Sequence, residues 1–172
     1  NRKVMKGLVW GFIGGLSLLA CQEDDRVNQE YTGNETVYSL QQASDYAVDG
    51  TVTFKEKNDG TTVVVVALSG TEGSIEHPVH LHLGNISAPG VDVAALLNLV
   101  VGKTGMSETS LKQLSDETVV TYKELIKMNA CIKVHLASSG PDRDIILAAG
   151  NIGAASTDVA GGRAGVGLCK SE

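Results

Sequence analysis

The chain holds four histidines in 172 residues, and three of them fall in one hexapeptide, His77-Pro78-Val79-His80-Leu81-His82. The fourth, His135, stands in Cys131-Ile-Lys-Val-His-Leu-Ala137. Imidazole is a borderline-soft nitrogen donor suited to copper or zinc, and three histidines around an open position form a recurrent reactive site. Residues two apart on a strand share a face, so His80 and His82 project together while Val79, Leu81 and Leu83 point into a core. The strict alternation of 131–137 sends Ile132, Val134 and Leu136 inward and His135 outward. If the two strands lie close in the fold, three imidazoles meet on the outer face of a sheet, and His77 could supply a fourth. The alternative is a set of exposed histidines paired with the surplus carboxylates.

These strands belong to an all-β pattern. Tyr46–Lys57 alternates, Asn58-Asp59-Gly60 supplies a turn, and Thr61–Ser69 is a β-branched run, so the two form a hairpin. The second strand is apolar on both faces, which predicts a central place covered on each side. His80–Ile86 reads as a third strand, and Val91–Val101 fits either a bulged strand or a short helix. The polar segment Gly102–Glu117 reads as a long loop. Thr121 and Glu124 have capping-box spacing, predicting a helix over Tyr122–Met128 that stops near Asn129. Strands follow at Cys131–Ala137, Ile145–Ala149 and Val166–Cys169. Many short strands, one short helix and Gly-rich loops predict an antiparallel β-sandwich or Greek-key barrel.

The N-terminus reads differently. Arg2, Lys3 and Lys6 precede the uncharged run Gly7–Ala20, and Leu18-Leu19-Ala20-Cys21 resembles the bacterial lipobox. This predicts a lipoprotein signal peptide over 1–20, a lipidated Cys21 opening a polar tether over 21–35, and a domain over 36–172. Without the three leader cations the chain keeps 11 basic against 20 acidic residues, a net charge of −9. So acidic a surface argues against nucleic acid as a partner. The expected location is the cell envelope, as an outer-membrane lipoprotein facing the periplasm or the cell surface and held to the membrane by its lipid. In that oxidising compartment Cys131 and Cys169 are most simply a disulfide, which would contribute on the order of 4 kcal/mol. Two buried thiols are the alternative.

His77-Pro-Val-His80-Leu-His82-Leu-Gly84, followed by Glu124–His135 and a Gly-Pro-Asp turn, resembles the CHRD domain. It is also distantly similar to the copper-zinc superoxide dismutase sandwich, and that resemblance implies copper-ligand positions for His80, His82 and His135. The departures are specific. Leu136 follows the late histidine where CHRD domains have Thr, and no histidine lies between His82 and His135 to bridge a second metal. A bimetallic centre is excluded by count, leaving at most one copper or zinc ion. Arg163, before Cys169, is a poor match in spacing to the dismutase's guiding arginine. Asp92, Asp142 and Asp144 read as solvated turn residues, since no regular calcium loop is present. Cys131 and His135 stand roughly 13 Å apart along a strand, too far for a thiol–imidazole pair. Nucleophile-elbow, phosphate-loop and dinucleotide fingerprints are absent. The expected function is a non-enzymatic binding module for a protein or small molecule that holds one metal. The alternatives are a copper-only dismutase-like enzyme and a metal-free adhesion module.

Overall fold

The computed structural model describes residues 30–89 and 92–157. Cys21, Arg163, Cys169 and the strand expected at Val166–Cys169 lie outside the described residues, and so does the proposed Cys131–Cys169 partnership. Eight antiparallel strands form a closed barrel: β1 (Tyr31–Gln42), β2 (Asp49–Lys57), β3 (Thr62–Ser69), β4 (Glu76–Leu83), β5 (Val93–Val101), β6 (Met106–Leu111), β7 (Asn129–His135) and β8 (Ile146–Gly153). Their order around the barrel is β1-β2-β3-β6-β5-β4-β7-β8. The chain therefore crosses the barrel from β3 to β4 and again from β6 to β7, which is Greek-key connectivity. The all-β expectation holds.

The barrel is flattened, because two of its seams are thin. The β5–β6 ladder has the single pair Val101↔Met106, supplemented by Asn98 bonds to Thr109 and Glu108, and the β1–β8 ladder has Gln41↔Ala149 and Gln42↔Ala148. Between the seams lie two half-sheets, β6-β3-β2-β1 and β5-β4-β7-β8, which face each other across one core. Val52, Phe54, Val64 and Val66 from the first pack with Val79, Leu81, Ile132 and Val134 from the second. All are essentially inaccessible to solvent, each fully buried side chain contributing about 1.5–3 kcal/mol. β3 is central, paired with β2 and β6. Its outer face is covered at Val63 and only partly at Val65.

Several boundaries differ from the sequence reading, each for a physical reason. The tether expected to reach residue 35 is already strand from Tyr31. Its polar side chains are tied to β2 through Lys57–Glu30 and Lys55–Glu35 ion pairs and through Thr32 and Asn34 on the Glu56 carboxylate. β6 lies inside the segment expected to be a loop, because six ladder partners on β3 hold a strand whose side chains face largely outward. β4 starts four residues earlier than expected. Pro78 sits where its ladder with β5 slips between His77 and Val79, and a bulge is where an interior strand tolerates a missing N–H. The same slip makes 93–101 a bulged strand rather than a helix. Leu83, expected inside, is 45% exposed at the end of β4, and Leu136, also expected inside, packs on the core only partly buried. The helix α1 (Tyr122–Leu125) is shorter than expected but carries the capping box, with Thr121 N–H donating to Glu124 Oε2 at 2.8 Å.

Closure between β8 and β1 depends on Gly150 in β8. A Cβ there would overlap the Ser39 carbonyl oxygen of β1 and crowd Leu40, and neither backbone can move without opening the seam. Gly150→Ala is expected to lower stability by about 1–3 kcal/mol, read as a drop in the urea midpoint. An unchanged midpoint would show that the seam does not constrain the fold.

Candidate metal centre

β4 and β7 are hydrogen-bonded neighbours, with His80 opposite Lys133 and His82 opposite Cys131. Pairing in this register puts His80, His82, Cys131, Lys133 and His135 on the outer face of one sheet, while Val79, Leu81, Ile132 and Val134 fill the core. The outer face is not solvated. His82 is 0% and His135 4% exposed, so the reading of these histidines as an exposed, carboxylate-paired surface fails. Two loops cover them. The β4–β5 connection folds back through Ile86, whose N–H donates to Asn151 Oδ1 at 2.8 Å and whose side chain packs on Cys131 and Ala149. The β7–β8 loop, with a 3-10 turn over Pro141–Asp144, folds over His135.

The three imidazoles converge. One ring nitrogen from each of His80, His82 and His135 lies within 4.8 Å of the other two. The His80 ring centroid is 4.6 Å from that of His135 and 5.6 Å from that of His82. A metal at 2.0–2.1 Å from each nitrogen in tetrahedral geometry needs nitrogens about 3.4 Å apart, so the rings would draw closer on binding one. These three form the only such donor group among the described residues.

Protonation also suits a metal. His135 Nδ1 is 3.0 Å from the Arg143 carbonyl, and since a carbonyl only accepts, Nδ1 carries the proton and Nε2 keeps its lone pair. A ligand histidine whose other N–H is fixed on a backbone carbonyl is the usual second-layer arrangement around a metal. Half-buried His80 has an enclosed Nδ1 with no hydrogen-bond partner. Burial, then the charges of His135 and His82, push its pKa down to about 4. Burial likewise lowers His135, in opposition to its bond to Arg143, and the Lys133 cation adds to the lowering. Deprotonated imidazole is the form that binds metal.

His77 does not join the three. It is 4% exposed and its Nδ1 donates to the Leu136 carbonyl at 3.0 Å, so it fixes the backbone next to His135 instead of offering a fourth donor. Asp92, Asp142 and Asp144 are exposed and stand outside the donor group. Sequence reasoning missed Lys133, fully buried beside the histidines. It also missed Arg143, which lines a cavity of about 610 Å³ that opens onto His80 and His135. The alternation of 131–137 already placed Lys133 on the histidine face, but nothing in it signalled burial.

Compared with known protein families, curated proteins and solved structures, the chain matches none.

Two measurements follow from the geometry. His77→Phe leaves the Leu136 carbonyl without its donor and is expected to cost about 1–3 kcal/mol of stability, recovered in part by His77→Gln. Metal stoichiometry in His77→Gln stays that of the wild type, and a loss of one equivalent would make His77 a ligand after all. For pH, unfolded His80 titrates at its ordinary 6.5 and folded His80 at about 4. Between these values the unfolded chain takes up a proton that the folded chain refuses. Stability of the metal-free protein therefore falls as pH drops through that window and levels off below it. The urea midpoint of the chelator-treated protein should track this fall, and His80→Gln should flatten it. An equal fall in the variant would remove His80 as its cause.

Proposed function

We propose that this chain is a lipid-anchored β-barrel module of the bacterial cell envelope that holds one copper or zinc ion through His80, His82 and His135 and acts by binding rather than by turnover. The observation that carries the metal assignment is the convergence of three ring nitrogens within 4.8 Å in a covered site, with His135 already held in a ligating tautomer. An all-imidazole donor set without carboxylate or thiolate suits copper and zinc and disfavours magnesium or calcium. The lipid anchor rests on Leu18-Leu19-Ala20-Cys21, and the envelope location follows from it. The CHRD resemblance rests on the two histidine strands.

A second reading is a copper-dependent enzyme acting on superoxide. It is favoured by the cavity that reaches His80 and His135 from solvent, since three protein ligands with an open position are the catalytic pattern, whereas a closed four-ligand shell is structural. Bound copper would supply the one-electron chemistry; the chain's own part is to hold three imidazoles and leave that position reachable.

One experiment addresses both readings. Anaerobic titration of the full chain with Cu(I), Cu(II) and Zn(II) is expected to give one equivalent bound more tightly than micromolar. His80→Ala and His135→Ala should each weaken it by at least about 100-fold, as the share of one ligand in a site of about 10–16 kcal/mol. No stoichiometric binding, or variants that bind like the wild type, would overturn the metal site. Superoxide consumption by the copper-loaded chain above that of free copper would replace the binding module with the enzyme.

A further inference from the structure

The cavity beside the histidines is built on two unlike walls. One carries His80, His135, Arg143 and Asp144, and the other is β5, with Leu96 and Leu99. At about 610 Å³ it falls in the range of small-molecule sites, roughly 300–1,000 Å³. That is far more room than a water or a diatomic ion needs, given about 30 Å³ per water. Leu96 and Leu99 are 69% and 43% exposed, so the apolar wall is not consumed by the core. The Arg143 Nε–Asp144 Oδ1 separation is 3.9 Å, and both side chains are well exposed. Such a pair holds little energy and leaves the guanidinium's remaining donors available for an anion.

We infer that this cavity binds an amphipathic carboxylate, its carboxylate reaching the open position of the metal and the Arg143 guanidinium and its apolar body lying against Leu96 and Leu99. Both halves of the ligand are specified by the walls. A metal dication held by three neutral imidazoles selects negative charge, the opposite charges of Arg143 and Asp144 on the same wall offset one another, and the leucines select a hydrocarbon body. The inference rests on the metal site proposed above.

Arg143 serves the site in two separable ways. Its backbone carbonyl holds His135, while its partly exposed side chain carries the cation, so Arg143→Gln removes the positive charge and keeps the hydrogen bond to His135. Leu96 is exposed enough for Leu96→Asp to leave the core untouched.

The test uses the full chain loaded with Cu(II), followed by electron paramagnetic resonance during titration with hexanoate, acetate and 1-hexanol. Hexanoate is expected to shift the copper spectrum and to saturate at least about 50-fold below acetate, since each buried methylene is worth about fourfold in affinity. 1-Hexanol should leave the spectrum in place. Arg143→Gln, compared with the wild type at saturating copper, should weaken both carboxylates by about tenfold, and Leu96→Asp should weaken hexanoate and spare acetate. A spectrum that hexanoate does not move, or equal affinities for hexanoate and acetate, would overturn the inference while leaving the metal site standing. Failure of the chain to take up copper, seen before any carboxylate is added, would instead overturn the metal site, and this inference with it.

Discussion

Antiparallel pairing of β4 with β7 is the contact on which the site depends. The two strands stand 46 residues apart in the chain, from Leu83 to Asn129, and are neighbours only because the Greek-key crossovers carry β5 and β6 to the other side of β4. Register then does the rest. With Val79 opposite Val134 and Leu81 opposite Ile132, a slip of one residue would drive the histidines into the core and the valines out. The hydrophobic core therefore fixes the donor geometry, although none of the three donor histidines belongs to it.

This dependence explains what could be read from the residues and what could not. Alternation within 76–83 and 129–135 made the shared outward face of His80, His82 and His135 legible, because period two is a local property. Their meeting was legible only as a condition, since strand adjacency is set by topology. Burial was not legible at all. An outward residue on a sheet is ordinarily wet, and only the return of the β4–β5 and β7–β8 loops removes His82 and His135 from water. Those loops are polar and Gly/Ser/Pro-rich, and nothing in their composition says where they land.

The strands at the ends of the half-sheets were the hardest to see for a related reason. β1 and β6 bury few side chains and are held by backbone ladders to β2 and β3, so their sequences carry little of the alternation that marks a strand. The capping box before α1 was visible because it is a reciprocal contact across three residues. His77 shows the opposite case. Its type and spacing suggested a ligand, while the bulge at Pro78 turns it toward the Leu136 carbonyl and makes it a brace for the end of β7.

The hold on His135 through a main-chain carbonyl has a consequence for how such a site can change over time. Any amino acid except one that distorts the turn can present that carbonyl, so position 143 is free to vary in side chain without losing the bond to His135. On the proposed reading, affinity for an ion and selectivity for what lies beside it would be inherited through different atoms of the same residue. One scaffold could keep its ion unchanged while its cavity drifts toward new occupants.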